Sequence, residues 1–114
     1  MKMIIYYKNK RIKIPVKKVS RFGKIIGLMF KKKTTKNLFF DFKKKTKMRI
    51  HSYFVFFNFF VIWTDEKSKV LEWRLVKPFT FGIKPKNYFV KLIEIPINKK
   101  NEEIVKFFVG GGKI

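Results

Sequence analysis

Apolar and polar side chains alternate strictly along residues 11–17 of this 114-residue chain, where the apolar positions are Ile12, Ile14 and Val16. Because successive side chains of a strand point to opposite faces, this pattern predicts a strand with one buried face. An aromatic and β-branched run precedes it at residues 1–8, and the polar pair at residues 9–10 separates the two. The sequence therefore predicts a β-hairpin, with Pro15 placing the second strand at a sheet edge.

Further strands are predicted along the rest of the chain, at residues 37–42, 50–57, 59–64, 69–76 and 87–95. The two between residues 50 and 64 are apolar at nearly every position, so we expect both in the interior of the sheet. In the strand 69–76, Leu71, Trp73 and Leu75 are predicted to face the core. The apolar run 53–63 is about half the length that a membrane-spanning helix needs, which favours buried strands of a soluble protein.

Two short helices complete the predicted fold. Apolar residues at 22, 25, 26 and 29 share one helical face, which predicts a helix that begins after Ser20 and ends at Gly27. A second helix is expected to begin at Asn101, because two acidic residues follow it, and to precede a glycine turn at 110–112. We therefore predict a mainly β single domain over residues 1–114, either a jelly-roll-like β-sandwich or a small barrel, with one or two short helices.

Positive charge dominates the composition, with 29 Lys and Arg against 7 Asp and Glu and a net charge of +22. An AT-rich genome would explain lysine in place of arginine, but it does not explain so few acidic residues. A field of this sign attracts nucleic acid, anionic lipid or an acidic protein.

Nine of these cations flank the strand predicted at 37–42, in two groups. The first group is Lys31, Lys32, Lys33 and Lys36, and the second is Lys43, Lys44, Lys45, Lys47 and Arg49. A hairpin-like return of the chain would bring both groups onto one anion-binding face; the alternative is a set of solvated loops. Lysine supplies point charges for phosphates, whereas base edges are read mainly by arginine, so nucleic-acid binding would be non-specific and salt-dependent. Phenylalanines could stack on bases only where exposed, and we expect most of them in the core.

An ordered series of short motifs resembles the domain-of-unknown-function 192 family, most closely its short archaeal members. The motifs are 27–31 (GLMFK), 37–42 (NLFFDF), 50–57 (IHSYFVFF), 61–65 (VIWTD), 70–72 (VLE), 77–79 (KPF) and 92–96 (LIEIP). The resemblance covers residues 3–113 and implies a sandwich-like domain without an established activity. One departure is that Phe60 stands where the family usually has an aspartate. A ligand or acid–base role of that carboxylate would be lost here, whereas a role in capping a turn could be taken over in part by Asn58.

No catalytic centre or cofactor site is recognisable, and we expect none. The chain has no cysteine and His51 is its only histidine, which rules out a cysteine–histidine metal site. We interpret the protein as a cytoplasmic, non-enzymatic binding or accessory module of unknown partner. Its pocket, if present, is expected near Gly27, Met29, His51 and Glu72.

The sequence is also compatible with two other functions. One is a basic protein that binds nucleic acid through the lysine groups. The other is a small enzyme that uses His51 together with a carboxylate from Asp41, Glu72 or Glu94.

Overall fold

Seven β-strands form most of the regular structure in this computed structural model, which describes residues 1–19, 31–50, 52, 54–80 and 82–111. In chain order they are β1 (Lys2–Tyr7), β2 (Lys10–Pro15), β3 (Lys17–Lys18), β4 (Leu38–Thr46), β5 (Phe59–Thr64), β6 (Val70–Val76) and β7 (Phe89–Pro96). A 3-10 turn (Lys99–Asn101) then leads into one α-helix, α1 (Glu102–Val109).

Strands β1 and β2 form the predicted antiparallel hairpin, which is a two-stranded sheet of its own. Its two-residue loop consists of Lys8 and Asn9, one residue earlier than expected, with φ angles of 47° and 64°. Two left-handed residues give the kind of turn whose twist matches that of the flanking strands. Strand β2 pairs with β1 alone, so its Pro15 lies in an edge strand, as predicted.

The larger sheet has five strands in the order β3-β4-β7-β5-β6. All its pairs are antiparallel except β3 with β4. Strand β5 lies inside the sheet and all six of its residues are buried, as its apolar sequence predicts. At one end of this sheet β4 and β5 begin while β6 and β7 end, because Leu38 pairs with Glu94 and Phe59 with both Val76 and Pro96. We call this the basal end of the sheet.

Both faces of the five-stranded sheet are covered by apolar layers. The helix-side face consists of Phe39, Phe60, Ile62, Ile93 and Ile95, and it packs against the β1–β2 hairpin and α1. The loop-side face consists of Leu38, Phe40, Val61, Trp63 and Leu92, and it packs against Val55, Phe57 and Ile83 from irregular segments.

The prediction of a mainly β single domain is confirmed. The Cα radius of gyration is 12.9 Å, against about 13 Å for a compact domain of this length. A hairpin layered on a larger sheet is closer to the predicted sandwich than to the predicted barrel, since the described strands do not close on themselves.

Two details of the strand prediction are wrong. In the described part of segment 50–57, Ile50 makes only an isolated bridge with Ile83, and no strand forms. Here Val55 and Phe57 point inward from a loop that has no partner strand. In β6, Leu71 and Leu75 are 38% and 50% exposed, because β6 is an edge strand and only Trp73 on that face is packed against α1.

The predicted helix at residues 22–29 lies outside the described residues. Helix α1 begins at Glu102, as the sequence predicts, but Asn98 rather than Asn101 provides the side-chain cap, by accepting a bond from the Asn101 amide. Ile104, Phe107 and Phe108 form its buried stripe, and Gly111 follows it with φ of 71°. The glycine turn is thus confirmed for its first two residues.

Candidate anion-binding surface

A cleft with a volume of about 480 Å³ opens at the basal end of the sheet. Its lining comes from three parts of the chain: β3 with the residues just before it, residues 34–37 before β4, and residues 98–101 after β7. The order of the strands explains this meeting, because β4 lies between β3 and β7. We call it the basic cleft.

Four lysines line the basic cleft, namely Lys17, Lys18, Lys36 and Lys100. The seven acidic residues of the chain all lie in the described part, and none of them lines it. Because a concave surface of one charge focuses the electrostatic field, the cleft favours anions. Thr34 and Thr35 add neutral hydroxyl groups to the same lining.

Hydrogen bonds to the backbone join the walls of the basic cleft. The Asn98 side-chain amide donates to the Lys33 carbonyl at 2.6 Å, and that of Asn37 donates to the Pro15 carbonyl at 2.9 Å. The Lys17 amide donates to the Asn37 carbonyl at 2.8 Å. The cations are therefore carried on segments that are tied to one another.

The two predicted cation groups lie at opposite ends of β4. In the first group Lys36 lines the cleft, while Lys31, Lys32 and Lys33 are exposed just before it. In the second group Lys43, Lys44 and Lys45 are exposed in β4 itself, past an irregularity in its pairing with β7, and Arg49 is exposed beyond it. Lys47 places its Nζ 4.9 Å from the centre of the Tyr88 ring. The seven residue steps from Lys36 to Lys43 span about 23 Å at strand rise, so β4 separates the two groups and does not bring them side by side.

Lys17, Lys18 and Lys100 were not singled out as site residues by the sequence. Lys17 and Lys18 lie more than eighty residues before Lys100 along the chain, and the pairing of the sheet brings them together. No local pattern could have joined them to Lys36.

The structure describes only part of the predicted pocket. Gly27, Met29 and His51 lie outside the described residues, so the pairing of His51 with a carboxylate stays a prediction. Glu72 accepts a hydrogen bond from the Lys86 amide at 2.6 Å, and its other oxygen lies 4.0 Å from Arg74. In the described part of the chain, Glu72 therefore fastens the loop before β7.

Three phenylalanines are exposed on the two irregular segments at the β6 side of the basal end. Phe54, Phe56 and Phe79 are 48%, 62% and 50% exposed. We call them the aromatic patch. Eight other described phenylalanines are buried, as expected, so the patch is an exception to a correct prediction.

Two polar groups on the loop-side face are buried without a hydrogen-bond partner. They are Oε1 of Glu94 and the indole nitrogen of Trp63. Loss of water around Glu94 raises the pKa of its carboxyl from 4.5 to about 7. Its cross-strand neighbours, Leu38 and Val61, offer no compensating charge.

The described residues contain no group of three or more His, Asp or Glu side chains placed to hold a metal ion. Within the same residues, helices are too short and too polar to cross a bilayer.

Fold and cleft together describe a strongly basic, mainly β protein, and its fold is similar to those of two solved structures. A candidate transcription regulator from Sinorhizobium meliloti 1021 matches with a TM-score of 0.72 and 11% identity, over 90% of this chain and 82% of that chain. A protein of unknown function from Novosphingobium aromaticivorans DSM 12444 matches with a TM-score of 0.74 and 10% identity, over 91% of this chain and 77% of that chain. At such low identity the likeness establishes the fold alone. No protein-family model and no curated protein matches the sequence.

Proposed function

We propose that this protein is a non-enzymatic binding module whose ligand is nucleic acid, held by its phosphates at the basic cleft. The observation that carries the proposal is a cleft lined by four lysines and by none of the chain's seven acidic residues.

Charge neutralisation within the protein cannot remove the positive field. Even if every acidic residue paired with a cation, a net charge of +22 would remain. Two ion pairs in the described part of the chain, Arg74–Glu72 and Lys106–Glu102, use cations that do not line the cleft. The cleft lysines are exposed and can approach phosphate oxygens.

The chemistry of the cleft favours binding that does not depend on base sequence. Lysine ammonium groups contact phosphates as point charges, and release of condensed counterions then drives association. No arginine lines the cleft in the described part of the chain, and arginine is the residue most used to read base edges. Affinity should therefore fall steeply with salt and vary little with sequence.

One comparison supports a binding role. One structural neighbour is a candidate transcription regulator, a class that works on nucleic acid. We also propose membership of the domain-of-unknown-function 192 family, on the ordered motifs and the mainly β fold that the resemblance implies. A cytoplasmic location would give such a protein access to nucleic acid.

Fluorescence anisotropy with a labelled oligonucleotide, over a series of salt concentrations, tests the proposal. A variant with Lys17, Lys18, Lys36 and Lys100 changed to Gln should lower the slope of log K against log [salt] by about 3, since each phosphate contact contributes about 0.7 to 0.9. The control changes Lys43, Lys44, Lys45 and Lys47 to Gln, which removes the same charge from the other end of β4.

The control variant should keep most of the wild-type slope if the cleft holds the phosphates. Equal losses in both variants would show that general basicity, and not the cleft, is responsible. Absence of binding by the wild-type protein at low salt would refute the proposed function.

A further inference from the structure

We infer that the aromatic patch (Phe54, Phe56 and Phe79) stacks on unpaired bases, so that the ligand is single-stranded nucleic acid. The inference rests on the proposed function and adds to it the strandedness of the ligand.

The rings of the patch form an ordered surface. Phe79 packs edge to face against both of the others, with ring centroids 5.4 Å from Phe56 and 6.5 Å from Phe54. Each side chain is about half exposed or more. Rings that are held by one another, yet open to solvent, lose little freedom when a base stacks on them.

Ser52 joins the two segments that carry the rings. Its carbonyl accepts hydrogen bonds from the Phe79 amide at 2.8 Å and from the Val55 amide at 3.2 Å, and its hydroxyl donates to the Lys77 carbonyl at 2.7 Å. Ser52 is itself fully buried. The hydrogen bonds of buried Ser52 therefore hold together the two segments that carry the exposed rings.

The backbone is strained at two of the three positions. Phe54 and Phe79 have φ angles of 55° and 56°, in the left-handed region that bulky side chains rarely occupy. Such conformations persist where the surrounding structure imposes them, and they concentrate at functional sites. In this protein the strain coincides with the display of large apolar rings to solvent.

The charge around the patch selects the occupant. Residues 43–64 and 77–93, which include both segments, contain no acidic residue. Exposed cations flank the two segments that carry the rings. Lys77 directly follows β6, and Nη1 of Arg49 lies 3.9 Å from the position that a Cβ on Gly82 would occupy. A second copy of this chain is a poor partner for the surface, because each copy has a net charge of +22. A polyanion with flat aromatic groups can neutralise the positive charge and also stack on the rings.

The topology aligns the patch with the basic cleft. Both lie at the basal end of the sheet, the cleft beside β4 and the patch beside β6. Three strand spacings separate these strands, or about 14 Å. That spacing corresponds to about four stacked nucleotides of one strand, so a ligand that contacts both surfaces must be longer than about four nucleotides. In a duplex the bases are already stacked and cannot use the rings.

Two double variants at the most accessible positions test the inference. Phe56→Leu with Phe79→Leu keeps an apolar surface but removes the rings, and Phe56→Tyr with Phe79→Tyr keeps the rings. Circular dichroism checks that each variant folds. The probes are a labelled oligothymidylate, a duplex of the same length, inorganic polyphosphate, and vesicles of phosphatidylcholine with phosphatidylserine.

Wild-type protein should bind oligothymidylate more tightly than duplex or polyphosphate at the same salt concentration. The leucine variant should lose at least about tenfold in affinity for oligothymidylate and keep its duplex affinity, whereas the tyrosine variant should stay within about twofold of wild type. Equal affinity for single strand and duplex, unchanged in the leucine variant, would overturn this inference and leave the proposed function intact. Failure to bind any nucleic acid would overturn both. Tight vesicle binding that survives in the leucine variant, without preference for single strands, would also overturn this inference, because the positive surface alone then explains the binding.

Discussion

Glu94 makes the stability of this protein depend on pH in a direction opposite to that of most carboxylates. Glu94 lies on the central strand β7 between its cross-strand neighbours Leu38 and Val61, it is 6% exposed, and one of its carboxyl oxygens has no partner. Burial without a compensating charge favours the neutral acid, which raises the pKa of Glu94 from 4.5 to about 7. In the unfolded chain the same carboxyl ionises near 4.5.

The contribution of the protonated Glu94 carboxyl to the free energy of unfolding is therefore complete below pH 4.5, and it is lost as the pH rises to about 7. Between these values the folded state holds a proton that the unfolded state has released, so the free energy of unfolding falls by about 1.4 kcal/mol per pH unit. Over the whole interval the loss is about 3 kcal/mol, which is a large part of the stability of a small domain.

Urea denaturation of wild type and Glu94→Gln, followed by tryptophan fluorescence at several pH values from 4 to 8, measures this loss. The difference between the two proteins cancels the titration of every other group. We expect Glu94→Gln to match wild type near pH 4 and to exceed it by about 3 kcal/mol at pH 8. Glu66→Gln, in an exposed turn, controls for removal of one negative charge. The reasoning would be refuted if the difference in free energy of unfolding between Glu94→Gln and wild type did not change with pH, or if wild type became the more stable of the two as the pH rises.

Three further changes have expected effects on stability, each measured by urea denaturation. Phe60→Asp should cost at least about 4 kcal/mol, because it buries an unpaired charge in the helix-side layer, while Phe60→Leu should cost about 1.5 kcal/mol. Lys8→Asn combined with Asn9→Gly should stabilise the hairpin by about 1 kcal/mol, because both positions have positive φ. Asn98→Ala should cost about 1 kcal/mol through loss of a cap, and Asn87→Ala, at an exposed position, should be close to neutral.

Much of the fold follows from the sequence because the relevant forces are local. The β1–β2 hairpin and the strands β5 and β7 lie where alternation or continuous apolar runs predict them. In each case the period of the side chains matches the geometry of a strand with one or two buried faces. Helix α1 follows in the same way from its polar start and its apolar stripe.

The errors arise where the sequence does not say how far a covering layer extends. Leu71 and Leu75 have the spacing of core residues, but the hairpin and α1 cover only the middle of β6. Segment 50–57 has the composition of a buried strand, yet its described residues form only an isolated bridge at Ile50 and a turn at Phe54. The depth of burial is a property of the assembled layers and not of one segment.

The candidate site was only partly predictable for a related reason. Local clustering identifies the nine cations beside β4, including Lys36. It cannot identify Lys17 and Lys100, which join Lys36 through the pairing of β3, β4 and β7. Nor can it separate the exposed rings from buried phenylalanines in the same apolar run.

The placement of the few acidic residues argues that the positive surface has a function. Codon bias towards lysine would not remove acidic residues selectively, and five of the seven that remain have a structural role. One caps a turn at Asp41, one closes the turn at Asp65, one fastens a loop at Glu72, and two begin α1 at Glu102 and Glu103. Ordinary solvent-exposed surfaces carry acidic residues interspersed with lysines, and this protein has few such acidic residues. Most acidic residues lie where the fold uses them, none lines the basic cleft, and the segments that carry the aromatic patch contain none, which fits the proposed binding of a polyanion.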